Sequence, residues 1–366
     1  MLIAAASGRA LAASARRGDY APLVADFFAD QDLDATAEGT VRLVAGLVHG
    51  MDGNEVVTAL AALAEERVVA GVVCGTGFED RPELLGEIAR RWNLLGNSPE
   101  VVAKIKDPLA LAAICRRCGI PHPETTHTPP PDPARWLKKR TGGAGGRHIR
   151  AAVAGDTVDP GFYFQRRVPG TPVSALALAD GRQALVLGFS VQWPSPTARH
   201  PFRYGGAARP APLAPELEHA LREAVRRLVS ELPLRGLNSV DFLVDGHDFH
   251  LLEVNPRPGA TFDIFEPPGG SLFALHVEAC RGALPKCAPE PGPPAAAEIV
   301  YAEREVRVSD MSWPDWTADR PRAGTDIAAG DPICTVLAAA ATTEAAKALV
   351  ADRTDTIRAQ FDALQT

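Results

Sequence analysis

The sequence predicts a mixed α/β and α+β protein in three parts, and three observations predict it. Residues 1–97 alternate short apolar strands with helical stretches, the pattern of a parallel sheet with helices on its faces. Residues 98–288 hold two apolar-rich runs on either side of Asp245-Gly246, a hairpin turn signal. Residues 295–366 follow a Pro-rich break at 289–294 and read as several short strands, with a helix from about Glu344.

The chain has 366 residues, room for about two or three domains at ~100–200 residues each. Its 38 basic and 45 acidic residues give a formal charge of -7. That balance argues against broad nucleic-acid binding, which leaves a basic stripe, but leaves room for a local basic pocket around a phosphorylated ligand. No run reaches the ~18 apolar residues of a membrane span. The N-terminal apolar run is short, no charge precedes it, and Gly8-Arg9 interrupts it, so it reads as a strand and a turn rather than a targeting segment. The expected compartment is the cytoplasm. Six cysteines are far too sparse for a disulfide scaffold. Cys115 and Cys118 form a C-x-x-C without a second half, expected to be two small residues one helical turn apart.

In chain order, the pattern predicts a strand over 2–6, a helix over 9–18, a strand over 22–26 and a helix over 50–66. An apolar run over 68–74 ends in Gly75-Thr76-Gly77. The full G-x-G-x-x-G fingerprint is absent and Phe78-Glu79-Asp80 follows, so a substrate-facing or structural βα turn is expected there. The chain turns at Gly96-Asn97-Ser98-Pro99. A helical pattern then runs over 99–118 to Gly119, and 128–133 is an extended connector.

The most informative segment runs from Ser239 to Gly259. Asp241 lies on the first strand of the hairpin, and Glu253 and Asn255 lie two apart on the second, which puts both on one face. Folding the hairpin brings Asp241 beside them. Three oxygen-bearing side chains suit Mg²⁺, a hard ion completed by phosphate oxygens and water. Arg257 follows at the strand exit between Pro256 and Pro258, placed to meet phosphate through its planar fork.

A second segment, Trp136 to Ile149, brings Lys138 and Lys139 at a strand end to a loop holding Gly142, Gly143, Gly145 and Gly146. Glycines let backbone N–H groups approach phosphates closely, and a strand-end lysine neutralises their charge. The order is not that of a P-loop. A third segment, Phe162 to Ser174, is a strand leading to a Pro169-Gly170 turn. Around Gln165, Arg167 and Val168 such a hinge offers backbone groups to an adenine edge.

Taken together and in this order, these segments resemble the ATP-grasp superfamily, and the likeness spans nearly the whole chain. The resemblance implies that Asp241, Glu253 and Asn255 are magnesium ligands, with manganese as a substitute. It implies that Arg257 faces the transferred phosphate, and that Lys139, with the glycines, holds the nucleotide phosphates of ATP. Two lobes then sandwich ATP: a lid over about 130–175 and a metal-binding lobe over 176–288. The 1–97 region resembles the family's pre-ATP-grasp domain, and the tail the small C-terminal, mostly-β domain of biotin carboxylase and purine-pathway members. The sequence departs from the family in three places. Where a lysine often stands before the GIP turn there is Pro108, so Lys106 is assigned the role, with Lys104 as its alternative. Arg166 replaces a common glutamate after Gln165, and Pro172 stands near the usual ribose-binding acid.

The implied reaction activates a small carboxylate as an acyl phosphate and joins it to an amine, releasing ADP and phosphate. A bicarbonate-activating carboxylase and a non-catalytic nucleotide-binding regulator are the alternatives. Arg203, in the Arg199–Arg203 stretch, is expected to contact a substrate carboxylate or phosphate, or else to be a solvated surface arginine. His148 is expected to be structural or exposed. Small-molecule acid and amine are the expected partners, without nucleic acid or membrane. A homodimer is the implied oligomer, since related enzymes with this layout are often dimers.

Overall fold

The computed structural model describes residues 1–44, 46 and 50–363. Strands β1 (Leu2–Ala4), β2 (Leu23–Asp26), β3 (Gly39–Arg42) and β4 (Val72–Cys74) form a parallel sheet in the order β3-β2-β1-β4. Helices α1 (Arg9–Arg17), α2 (Gly53–Ala64) and α3 (Pro82–Arg91) alternate with them. Leu2, Ile3 and Ala4 are fully buried, as a sheet covered on both faces requires. Strand order reverses between β1 and β4, so the loops after these strands open at a crevice, where ligands of open α/β sheets bind. The loop after β4 carries Gly75 to Glu79.

Asn97 fastens this first part to the rest. Its Nδ2 donates to Asn238 Oδ1 at 2.8 Å and to Pro256 O at 2.9 Å, and its Oδ1 accepts from the Arg235 N–H at 2.9 Å. Beyond it, the single helix expected over 99–118 is two: α4 (Pro99–Lys106) and α5 (Pro108–Arg117). Pro108 has no N–H to continue the ladder and its ring clashes with the preceding turn. Asp107 takes an extended backbone and caps α5, its carboxylate accepting from the N–H groups of Leu109 and Ala110. The break ends α4 at Lys106 and turns that side chain inward.

A small antiparallel sheet follows, ordered β5-β8-β6-β7 from β5 (Thr125–Thr126), β6 (Trp136–Arg140), β7 (Ile149–Ala151) and β8 (Phe162–Arg166). The central sheet begins with β9 (Thr171–Asp180), β10 (Ala184–Pro194), β11 (Tyr204–Arg209), β12 (Arg235–Asp245) and β13 (Asp248–Asn255). Alternation along β9 separates its two faces. Val173, Ala175, Ala177 and Ala179 pack toward α6 (Pro215–Glu231), whereas Leu176 and Leu178 share a core with α7 (Phe262–Phe265), α8 (Leu272–Cys280) and the first part.

The tail comprises β14 (Ala295–Tyr301), β15 (Val306–Arg307), β16 (Thr317–Ala318), β17 (Asp326–Ile327), β18 (Pro332–Ala339) and α9 (Thr343–Ala363). β14 pairs with β11, so the tail extends the central sheet to eight strands, β13-β12-β9-β10-β11-β14-β18-β16. α9 covers the extension with Ala346, Val350, Ile357 and Phe361.

Arg9, 7% exposed, ties the first part to α7 and the tail. Its guanidinium makes two 2.7 Å bonds to Asp263 and donates to Asp319 at 3.1 Å. Asp32 accepts from the N–H groups of Asp319 and Arg320. Asp30 lies in the same hub, 3% exposed, its Oδ2 without a partner.

Cys115 is buried and Cys118 donates to Arg227 O, both as free thiols within the helical region. Among the described residues no helix is long and apolar enough to cross a membrane.

Candidate active site

A β-bulge builds the site. Along the β12–β13 hairpin Asp241 pairs with Glu253 but Phe242 pairs with Leu251, so Leu252 is an extra residue. In a regular strand without the bulge, Leu251 and Glu253 would share a face. The added residue shifts the alternation, so Leu251 and Val254 both enter the core under α6 while Glu253 and Asn255 face the other way. Asp241, directly opposite Glu253, joins them. Asn255 Nδ2 donates to Asp241 Oδ2 at 2.9 Å and approaches Glu253 Oε1 at 3.4 Å. Ser174 Oγ donates to Asp241 Oδ1 at 2.6 Å from the neighbouring strand.

Two half-buried carboxylates side by side repel, and their protonation splits. Burial and then the Glu253 charge push the Asp241 carboxyl up to about 7. Burial also opposes charge on Glu253, but Lys106 and Lys139 outweigh it and hold that carboxyl well below its usual range. A cation between them relieves this repulsion, and hard oxygen donors fit magnesium. Among the described residues no three His, Cys, Asp or Glu side chains gather into a metal cluster. Asn255 completes the trio with its Nδ2 toward both carboxylates and its Oδ1 toward Lys106.

Lysines surround the trio. Lys106 Nζ donates to Asn255 Oδ1 at 2.8 Å, while Lys104 is exposed. Lys139, 5% exposed, donates to Gln165 Oε1 at 2.7 Å; burial lowers its pKa against the pull of Glu253 and Asp241. Lys106, Gln165, Glu253, Gly142 and Gly143 line one cleft between the small sheet and the hairpin. Lys138 points elsewhere, to Thr157 O and the Asp156 and Asp159 carboxylates.

The glycine loop is closed over the cleft. Gly145 O accepts from the Tyr204 N–H at 2.9 Å, the His200 ring bonds Arg147 O, and Arg147 reaches Asp331 and Gly330 O in the tail. Gly142 and Gly146 have φ of +67° and +72°. A β-carbon on Gly146 would run into Phe202 O, and one on Gly142 into the backbone of Asp80 and Glu79. His148 packs on Gly143, and burial drops its pKa to about 4, so its imidazole is neutral.

At the hinge only Gln165 lines the cleft among the three expected positions. The Arg167 N–H is already bonded to Arg135 O, and Val168 is half-buried. Arg203 is neither solvated nor aimed at the trio. It is 6% exposed, stacks 3.7 Å over the Tyr301 ring, and donates to Ser195 O, Ser195 Oγ and Gly330 O. Its position in a turn between two strands concealed this, because the partner tail lies about a hundred residues away.

Arg257 Nε donates to Glu79 Oε1 at 2.6 Å, and Glu79 Oε2 accepts from the Gly77 N–H at 2.7 Å. Sequence reasoning passed over Glu79, Asn97 and Ser174. The one local signal was a carboxylate two residues after a strand-end Gly-Thr-Gly.

Residues 105–261 match the family model described as the ATP-grasp domain. The chain carries an ATP-grasp domain over these residues. ATP-grasp relatives include the carbamoyl phosphate synthase large chain of Rubrobacter xylanophilus, 24% identical over 301 residues, or 74% of this chain and 28% of that one. This ATP-grasp chain spans less than a third of the length of the curated relatives it matches. The ATP-grasp fold recurs in the biotin carboxylase–β,γ-ATP complex from Campylobacter jejuni, at 15% identity and a TM-score of 0.72, covering 95% of this chain and 89% of that one. It recurs too in the biotin carboxylase domain dimer of the Hydrogenobacter thermophilus 2-oxoglutarate carboxylase, bound to MgADP and bicarbonate. There the TM-score is 0.71 at 13% identity, covering 94% and 87%. ATP-grasp enzymes use ATP and Mg²⁺.

Proposed function

We propose that this ATP-grasp chain is a ligase that activates a small carboxylate with ATP and joins it to an amine. The observation that carries the proposal is the bonded cluster of Asp241, Glu253, Asn255 and Lys106, with Lys139 near enough to feel both carboxylates and with Lys106 and Glu253 lining the cleft beside it. Asp241, Glu253 and Asn255 hold magnesium, which when bound offsets charge on the nucleotide phosphates. Lys139 and Lys106 neutralise phosphate oxygens, and Arg257 faces the transferred group. A substrate carboxylate oxygen attacks the γ-phosphorus, the bond to ADP breaks, and an acyl phosphate forms. The amine nitrogen then attacks the acyl carbon and loses a proton as orthophosphate leaves. The closed glycine loop keeps water from the acyl phosphate. Gln165 meets the nucleoside, whereas Arg203 braces the tail against the β10–β11 turn.

The parts 1–97, 98–288 and 295–366 take the roles of substrate-side support, nucleotide and metal site, and lid-docking tail. A bicarbonate-activating carboxylase is the second reading, favoured by the whole-chain likeness to the bicarbonate-bound carboxylase domain. An ADP-formation screen of acids, amines and bicarbonate with Mg-ATP separates them. ADP dependent on both an acid and an amine supports the ligase; dependence on labelled bicarbonate alone replaces it; AMP as product ends both.

The closed loop makes its own prediction. Gly146→Ala forces a side chain into a left-handed backbone conformation and against Phe202 O. Turnover should fall by about tenfold or more, since a cost of about 1–2 kcal/mol falls on the closed form. The global melting temperature should stay put. Faster proteolysis within the loop together with slower ADP formation checks it; unchanged turnover removes the loop from the cycle.

A further inference from the structure

We infer that Glu79, a residue of the first part, is the positioning residue for Arg257, fixing how that guanidinium faces the transferred phosphate. This rests on the reading of Arg257 given above. Glu79 is 3% exposed and stands at the end of the β4 crevice. Each carboxylate oxygen has one donor: Arg257 Nε at 2.6 Å and the Gly77 N–H at 2.7 Å. Burial works against its charge, yet Arg257, Lys106 and the Gly77 N–H outweigh burial and keep its carboxyl below the ordinary range. It is a charged anchor with both ends tied down.

The geometry selects one edge of Arg257. The Nε–H is consumed by Glu79, and Nη1 makes only a 3.4 Å approach to Pro258 O. The fork formed by the two Nη groups is therefore left to bind oxygen anions, in the planar arrangement suited to phosphate. Gly259 leaves room for this orientation, because a β-carbon there would collide with Arg257 Nη1. On the far side, Asn97 grips Pro256 O one residue earlier, so the arginine is held at its backbone and at its side chain by residues of the first part or its exit.

The same anchor touches the lid. Gly142 lies so close to Asp80 and to the Glu79 carbonyl that a β-carbon would meet them at 2.7–2.9 Å, and Arg140 approaches the Asp80 carboxylate at 3.7 Å. Lid closure and Arg257 orientation thus share one short segment. Preorganisation of this kind matters because small misplacements of a donor cost large factors in rate.

A double-mutant cycle on ADP formation tests the inference, with Mg-ATP and the acid–amine pair that the screen yields. Glu79→Ala should slow turnover about ten- to a hundredfold, as removal of an orienting partner does. Mg-ATP affinity by calorimetry should stay within about twofold, because Lys139 and Lys106 are untouched. Glu79→Gln, nearly isosteric, guards against a folding defect and should show the same split. If Glu79 acts through Arg257, the Glu79→Ala/Arg257→Ala chain is no slower than Arg257→Ala alone. Losses that multiply, or a Glu79→Gln chain at full speed, overturn the inference. Asp241→Asn run alongside separates this from failure of the ligase reading: if it too keeps full turnover, the site itself is misassigned.

Discussion

Asp241→Asn leaves a folded protein that no longer turns over ATP. The substitution keeps shape and volume, and Ser174 Oγ retains an oxygen to bond. What is lost is one negative charge opposite Glu253 in a half-buried pair. Without magnesium that charge is a liability, since burial and Glu253 already push the Asp241 carboxyl up. The nucleotide-free variant should therefore melt at or above the wild-type temperature, because a buried repulsion is relieved. With Mg-ATP the order reverses. A ligand that binds only the folded chain raises its melting temperature, and the variant should lose most of the magnesium-dependent part of that rise. ADP formation should drop by about a thousandfold or more, the scale set by removing a preorganised charge from a transition state. Glu253→Gln should behave alike, with one difference: Lys106 and Lys139 lose the carboxylate they hold charged, so its metal-free stability should not rise. Calorimetry with and without Mg-ATP, beside ADP formation, reads both effects. Full activity in both variants would leave the trio without a role.

The trio was legible because a strand writes its faces into the sequence at a period of two. Glu253 and Asn255 share a face, and Asp245-Gly246 marks where Asp241 folds back. Even so, the simple pleat was insufficient. Leu251 and Glu253 are also two apart, and only the extra residue at Leu252 explains why one is core and the other site. Nothing in the local sequence announces that bulge. The helix break at Asp107-Pro108 was legible in principle, since proline ends a helix and aspartate caps one, but the continuous apolar period across 99–118 masked it. Glu79 and Arg203 illustrate the deeper limit. Their partners, Arg257 and the Tyr301–Gly330 surface, lie 98 to 178 residues away, so their roles exist only once the sheets have assembled. The eight-stranded continuity of the tail with the central sheet is of the same kind, set by β11 meeting β14 edge to edge.

Asp30→Asn, far from the cleft, should stabilise the chain, and more so as pH rises. Asp30 is 3% exposed and has an unpartnered Oδ2 in the hub where Arg9 meets Asp263 and Asp319. Burial is the main reason its carboxyl is pushed up to about 9, followed by repulsion from Asp319, Asp26 and Asp32, with Arg9 pulling the other way. The other carboxylates are satisfied: Asp26 by the Gly8 and Ala29 N–H groups, Asp32 by those of Asp319 and Arg320. An unfolded aspartate ionises near about 4. Between that value and about 9 the folded chain holds a proton that the unfolded chain has released, so stability falls as pH rises through this window. Asparagine cannot ionise in either state and escapes the penalty. The advantage of the variant should be small near pH 4–5 and grow to a few kcal/mol on the order of magnitude by pH 8. Melting curves of both chains at pH 5, 6.5 and 8 should therefore diverge, the wild type losing about several degrees that the variant keeps. A variant less stable by the same amount at every pH would mean that the carboxyl is held by a donor rather than crowded by its neighbours. Because the hub joins α1, α7 and the residue after the tail strand β16, the divergence would also locate where alkaline pH first loosens the docking of the three parts.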